Sequence, residues 1–318
     1  MALRCAILDD YQNVALKLAD WSALGDKVAL TVFDAPFADA ATAIAALQDF
    51  DIVCAMRERT PFTGEVLSAL PKLKLLLTSG MRNASFDLAT ARARNVTVCG
   101  TGNIGNPTVG IAIGLMLELT RRIGFENARM KAGAPWQITV GEDVEGKTLG
   151  IVGLGKLGAR VAAVGLALGM QVKAWSSNLT PEACAAAGVA YASKEELFAT
   201  SDVITIHLVL SERSRGLVGA ADLARMKPSA YLINTARGPI VDEAALLAAL
   251  RERRIAGAGL DTFWQEPLAL DHPLRRLDNV VLTPHLGYVT AENYRRYYED
   301  MVEDIVAWLA GAPVRQLG

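Results

Sequence analysis

The chain has 318 residues, about twice what a single domain usually takes, so two domains are expected. Lys plus Arg total 32 and Asp plus Glu total 34, and a net charge of −2 offers no electrostatic footprint for nucleic acid or an anionic membrane. Hydrophobic residues make up 52% of the chain, a globular composition that leaves no room for a long disordered tail.

The first apolar run, residues 3–8, meets Asp9 and Asp10 and is too short for a secretory signal. It reads instead as the first strand of an α/β series, with further strands expected at 28–33, 51–56, 73–78 and 96–99. Helices separate them: Asp39 opens the Ala-rich run to Leu47, and Thr63 with Glu65 in the first turn has the form of an N-cap. This is the pattern of one doubly wound domain.

A Gly/Asn-rich loop at 101–106 then leads into Pro107, with Asn106 as the expected N-cap and Pro107 as the first helical residue. The helix that follows is apolar almost all round, ends in Arg121 and Arg122, and meets Gly124 as its expected C-cap. Its apolar stretch, residues 108–117, is closed by Glu118 and falls short of the ~18 to 20 residues of a membrane span. Cys5, Cys54, Cys99 and Cys184 form no CxxC pair, read as buried reduced thiols, and suggest no metal site. The expected compartment is the cytoplasm.

A second alternating series follows, with strands expected at 148–152, 171–175, 203–208, 230–234, 257–261 and 280–283. Six strands with helices between them match a Rossmann sheet, and residues 290–309 read as one long helix of mixed charge.

Directly after the first strand of this series comes Gly153-Leu154-Gly155-Lys156-Leu157-Gly158. A GxGxxG alone is weak, but here it joins a strand to a helix, where each glycine has a task. The first allows the tight turn, the second lets backbone approach a pyrophosphate, and the third lets helix pack on strand. The helix start, Lys156 and Leu157, adds unpaired N–H groups and partial positive charge. An NAD-preferring site would end the next strand in an acid that accepts from the ribose; this chain has Ser176-Ser177-Asn178 there. The missing acid leans toward NADP, yet no Arg stands ready to clamp a 2′-phosphate, so NAD stays open.

In such a sheet ligands sit outside the carboxyl ends of the strands, so the residues just beyond each strand are the place for chemistry. Those positions hold His207, then Asn234-Thr235-Ala236-Arg237-Gly238, then Asp261 followed by Glu266, then Pro284-His285-Leu286-Gly287. The third histidine, His272, reads as part of an exposed loop.

On these residues the chain resembles the D-isomer-specific 2-hydroxyacid dehydrogenase family. The matching stretches are GLGKLG at 153–158, HLVLSERSRGLVG at 207–219, MKPSAYLINTARGPIVDEAALLAAL at 226–250, AGAGLDTFWQEPL at 256–268 and NVVLTPHLGYVT at 279–290. RERTPFTGEVLSALPKLKLLLTSG at 57–80 is similar to the family's substrate-domain segment. The resemblance implies two doubly wound parallel-sheet domains: a Rossmann NAD(P)-binding domain, residues 101–286, inserted in a flavodoxin-like substrate domain of residues 1–100 plus 287–318. It implies Arg237, Glu266 and His285 as the catalytic trio, with Asp261 near the nicotinamide carboxamide and Thr108, Ser176, His207, Thr235 and Ala236 as cofactor contacts. Arg57 and the turn Ser79-Gly80-Met81 would face the cleft, where the N–H groups of Gly80 and Met81 could hold a substrate carboxylate.

The chemistry makes the trio sensible. Reducing a 2-oxo acid moves hydride to C2 and a proton to the carbonyl oxygen, which calls for a donor such as His285 within hydrogen-bond reach. Glu266, accepting from the other ring nitrogen, would orient that imidazole. Arg237 offers a planar, permanently charged fork for the substrate carboxylate. The implied partner is a small 2-oxo or 2-hydroxy acid such as glyoxylate or hydroxypyruvate, and the implied assembly is a homodimer with the crossing-helix region as its contact surface.

Departures from the family pattern are Gly110, where an acid is common, and Thr262, where an apolar residue is usual. Trp136, Trp264, Gln265 and Tyr288 could shape a pocket or fill the core. Formate dehydrogenases, similar to this family, have Gln where Glu266 stands, which favours a 2-oxo acid substrate here. An alternative of another class is a nucleotide-sensing corepressor of the same fold, from which extra disordered tails and a peptide-binding surface are expected.

Overall fold

The computed structural model describes residues 2–318, and the chain divides into two compact units, residues 2–105 with 290–318 and residues 106–289. In unit 1 the elements run β1 (Leu3–Ile7), α1 (Ala15–Leu18), β2 (Val28–Val32), α2 (Ala40–Leu47), β3 (Ile52–Ala55), α3 (Gly64–Ser68), β4 (Leu75–Thr78), α4 (Leu88–Ala93) and β5 (Thr97–Gly100). Its five strands are all parallel, in the order β2-β1-β3-β4-β5, the doubly wound flavodoxin-like arrangement. Every residue of β3 and β4 is buried, as parallel strands covered on both faces must be. The expected caps form: the side chain of Asp39 accepts from Thr42 N–H and that of Thr63 from Val66 N–H. The long helix Ala291–Leu309, capped by Thr290, returns to this unit and buries Tyr294, Tyr297, Tyr298, Met301 and Ile305. Two acids on the same helix, Asp300 and Asp304, are buried against Arg315 of the tail.

Unit 2 begins with α5 (Thr108–Arg121) and α6 (Ile123–Lys131) and continues β6 (Thr148–Val152), α7 (Lys156–Ala167), β7 (Gln171–Trp175), α8 (Pro181–Ala186), β8 (Ala190–Tyr191), α9 (Lys194–Thr200), β9 (Val203–Ile206), α10 (Ala220–Arg225), β10 (Tyr231–Asn234), α11 (Glu243–Arg251), β11 (Gly257–Leu260) and β12 (Val280–Leu282). The parallel order β12-β11-β10-β9-β6-β7-β8 is the Rossmann order with a strand added at one edge. The fold class expected from the sequence is the one observed.

Three details differ from the sequence reading. The sheet has a seventh strand, β8, whose two residues pair only with the edge of β7 and are too few to show an alternating pattern. Asn106 does not cap α5 with its side chain; its carbonyl accepts from Val109 N–H, with Pro107 already helical at φ −63°. At the other end Arg122, not Gly124, takes the left-handed conformation at φ 52°, and a second helix starts at once. Gly124 N–H donates to the Glu118 carboxylate at 2.7 Å, so the side chain of α5 caps α6.

Candidate active site

The carboxyl ends of β6, β7, β9, β10, β11 and β12 bring the residues singled out above to one edge of the unit 2 sheet. The glycine loop lies between β6 and α7. Gly153 has φ +101°, open only to glycine without strain, and receives backbone close to His207. A Cβ on Gly158 would overlap the Gly153 carbonyl, so this glycine lets α7 sit against the loop. Gly155 is different: a Cβ there would meet nothing within 4 Å. Neither packing nor its φ of −85° demands glycine at that position, and the open space beside the first N–H groups of α7, at Lys156 and Leu157, fits an approaching pyrophosphate.

A second observation fits the same group. The hydroxyl of Thr235 is buried and has no hydrogen-bond partner among the described residues. Such an orphan normally costs about 1–3 kcal/mol, which a ligand contact would offset. Ser176 follows β7 half-buried, its carbonyl accepting from Leu179 N–H at 3.1 Å. The ring of His207 lies 3.0 Å from Thr205 Oγ1, and burial pushes its pKa down to about 4, so it is neutral at pH 7. The hydroxyl of Thr108 donates to the Gly287 carbonyl at 2.9 Å, which ties the start of α5 to the turn after β12.

That turn carries His285, in the left-handed region at φ 54°. Asp261, fully buried at the end of β11, holds it: one carboxylate oxygen accepts from Thr283 Oγ1 at 2.6 Å and Leu286 N–H at 2.7 Å, the other from Gly287 N–H at 2.8 Å. Burial raises the Asp261 carboxyl pKa, opposed by these bonds. Both oxygens thus serve the His285 turn.

His285 Nδ1 lies 2.6 Å from Glu266 Oε2, while Glu266 Oε1 accepts from Phe263 N–H at 2.9 Å. Burial alone would push the Glu266 pKa up, but the His285 bond and charge, the Phe263 N–H and the nearby Arg237 outweigh it and hold the carboxyl below its ordinary value. Arg237 itself donates to the Ala236 carbonyl at 2.8 Å. Asn234, buried at the end of β10, shapes this turn by accepting from Ala236 N–H at 3.0 Å and donating to the Arg237 carbonyl at 2.9 Å. In the sequence Asn234 stands among the strand-end residues, two before Ala236, with no role assigned to it. A Cβ on Gly238 would overlap the Phe263 backbone, so glycine lets the Arg237 turn lie directly on the Glu266 loop.

The remaining candidates divide. His272 is not an exposed loop residue: its Nε2 lies 2.8 Å from Glu243, and its Nδ1 accepts from Leu274 N–H. The Trp264 indole N–H donates to the Val241 carbonyl, whereas Trp136 is 73% exposed. In unit 1, Arg57 lies over Gly80, so close that a Cβ there would overlap its guanidinium, and donates to the Ser79 carbonyl at 3.1 Å. The N–H of Gly80 is committed to Thr101 Oγ1 at 2.8 Å, which corrects the expectation that it serves a carboxylate. Met81, next in the turn, is 43% exposed. Among the described residues no group of three or more His, Cys, Asp or Glu could hold a metal ion, and no helix is long and apolar enough to cross a membrane.

A Rossmann-order sheet with this glycine loop, in a chain that also builds a five-stranded parallel unit, defines the class of two-domain dinucleotide-fold proteins. Residues 113–287 match the model of the D-isomer specific 2-hydroxyacid dehydrogenase, NAD binding domain. The chain is 38% identical over 304 residues to a D-3-phosphoglycerate dehydrogenase of Mycobacterium leprae, covering 94% of this chain and 56% of that protein. It is 36% identical over 258 residues to a glyoxylate reductase of Korarchaeum cryptofilum, covering 79% and 77%. The crystal structure of a phosphoglycerate oxidoreductase from Vibrio cholerae superposes with a TM-score of 0.92 at 34% identity, covering 98% of this chain and 100% of that one. The chain belongs to the D-isomer specific 2-hydroxyacid dehydrogenase family. It spans little more than half the length of the mycobacterial relative.

Proposed function

We propose that this protein interconverts a small 2-oxo acid and its D-2-hydroxy acid with NAD(H) or NADP(H). The observation that carries the reading is the His285–Glu266 pair at 2.6 Å, beside Arg237 and on the same sheet edge as the glycine loop. Gly153, Gly155, Lys156, Leu157 and Gly158 would hold the pyrophosphate, with Ser176, His207, Thr235, Ala236 and Thr108 along the rest of the cofactor. When bound, the reduced nicotinamide supplies the hydride that reaches the substrate carbon.

The chain's own residues do the remainder. Glu266 engages Nδ1 of His285, which leaves Nε2 as the nitrogen that gives its proton to the substrate carbonyl oxygen. In the oxidation direction the neutral imidazole takes that proton back. Arg237 meets the substrate carboxylate and stabilises the negative charge that develops on the carbonyl oxygen. Asp261 keeps His285 in place through the turn it braces.

Ser176 in place of an acid leaves room for the 2′-phosphate of NADP, so both cofactors belong in the assay. The relatives named above are a dehydrogenase and a reductase, which favours an enzyme over a corepressor of the same fold. The decisive test is a panel of glyoxylate, hydroxypyruvate and D-3-phosphoglycerate with NAD(H) and NADP(H), run on the wild type and on His285→Ala. Turnover that disappears in the variant is expected; no turnover in any pairing, or an unimpaired variant, sinks the reading.

We also infer a homodimer in the cytoplasm. α6 buries none of its residues, and Ile123, Phe125 and Met130 stand exposed on it, an apolar surface that a second copy would cover. All four cysteines are free and buried, in keeping with a reducing compartment. Sedimentation at low concentration checks the first inference and cell fractionation the second.

A further inference from the structure

Tyr288 lies three residues beyond His285, and nothing in the mechanism so far uses it. Its ring packs on the His285 imidazole with centroids 5.3 Å apart and planes inclined at 76°, the edge-to-face arrangement that aromatic pairs favour. The ring is held firmly, because Tyr288 is only 9% exposed and the backbone between the two rings is braced on several sides. Asp261 accepts from Leu286 and Gly287 N–H, the Thr108 hydroxyl donates to the Gly287 carbonyl, and Val289 N–H donates to the Leu286 carbonyl at 2.9 Å. Even a Cβ on Gly287 would press on Asp261 and Thr108 at 3.0 and 3.1 Å.

A histidine side chain has two torsions, and one hydrogen bond at Nδ1 constrains only one combination of them. The Glu266 bond therefore holds the Nδ1–Oε2 distance, while coupled changes of the two torsions can keep that distance and still tilt the imidazole plane and swing Nε2. A ring packed across that plane supplies the missing restraint. We propose that Tyr288 is a positioning residue for the reaction: its ring sets the plane of the His285 imidazole and so aims Nε2 at the substrate oxygen. The inference rests on the reading of His285 as proton donor, and it assigns the work to the ring of Tyr288.

The test compares Tyr288→Ser, which removes the ring, with Tyr288→Phe, which keeps it. In Tyr288→Ser, kcat for 2-oxo acid reduction is expected to fall roughly three- to tenfold, the range an aromatic pair accounts for, with KM for the oxo acid and for the cofactor within about twofold. Tyr288→Phe should recover most of the loss. The second arm is the ring C–H spectrum of the full chain carrying isotope-labelled histidine. With only three histidines in the sequence, His285→Gln identifies the signal of interest. Removing the Tyr288 ring current should move the His285 resonance in Tyr288→Ser and leave His207 and His272 in place, with Tyr288→Phe close to wild type. An unmoved His285 resonance, an unchanged kcat in Tyr288→Ser, or a loss that Phe fails to restore overturns the proposal. If the wild type turns over no oxo acid, the reading of the site fails by that result, and a shifted or unshifted His285 resonance still decides the ring contact.

Discussion

His285 Nδ1 and Glu266 Oε2 stand 2.6 Å apart, although nineteen residues separate them in sequence and two different strands deliver them. β11 leads into the loop that carries Glu266, β12 into the turn that carries His285, and the two strands pair in parallel register from Ala258–Val280 to Leu260–Leu282. The register is what makes the pair. Asp261, one residue beyond β11, then reaches across to brace the turn after β12, so strand pairing and side-chain bracing act on the same group.

Replacing Glu266 by Gln keeps the size of the side chain and removes its charge. We expect kcat to fall about 10- to 100-fold, the usual cost of losing a carboxylate that orients a histidine, and His285→Ala or Arg237→Ala to cost at least ~100-fold. Because the Glu266 carboxyl titrates below its ordinary 4.5 in the folded protein, its contribution is present above that pH and is lost only as pH falls through the lower folded value. A rate–pH profile of the wild type should therefore show no limb from Glu266 between about pH 5 and about pH 8.

The two later loop glycines should separate folding from binding. Gly158→Ala drives a methyl into the Gly153 carbonyl and should lower stability by about 1–3 kcal/mol in denaturant melts. Gly155→Ala meets no protein atom within 4 Å, so its stability should stay within about 1 kcal/mol of wild type. Its affinity for NADH, read by nicotinamide fluorescence, should nonetheless drop at least ~10-fold, since the methyl would occupy the space of the pyrophosphate.

Ser176→Asp restores the acid that a ribose-accepting strand end carries. The carboxylate would repel a 2′-phosphate, so KM for NADPH should rise about 10-fold or more while KM for NADH holds or falls. Initial rates with both cofactors at one oxo acid concentration series give the comparison.

In unit 1, burial lifts the Asp304 carboxyl from 3.8 to about 7, with Arg315 pulling the other way and Asp300 and Glu303 adding to the rise. A group raised in this way binds more protons folded than unfolded between those two values, so stability falls as pH climbs through that window. Asp304→Asn removes the titration. The stability of the variant relative to wild type should increase steadily between pH 3.8 and about 7 and level off above, which chemical denaturation at several pH values would show.

Much of this was legible in one sequence. Eleven of the strands were expected within a residue or two of where they lie, because buried parallel strands are short apolar runs closed by polar residues and turn formers. The candidate site residues were legible for the related reason that they stand just past those runs. What escaped has a common cause as well. β8 is a two-residue edge strand defined by its neighbour β7; Arg122 and His285 adopt left-handed backbone that their side chains do not announce; the Gly80 N–H is occupied by Thr101, twenty-one residues away. The partner of His272, Glu243, lies twenty-nine residues away, so its local sequence shows only a loop.

The sequence by itself determined two parallel-sheet units, the strand–loop–helix that suits a dinucleotide, and the polar residues at the strand ends, since each follows from local periodicity, turn chemistry and motif. Only the tertiary structure decided which of those residues work on one another. The pairing of His285 with Glu266, the spending of both Asp261 oxygens on the His285 turn and the packing of Tyr288 on the imidazole depend on strand register and on which N–H groups are already satisfied. Those are properties of residues brought together from distant positions, and no local pattern encodes them.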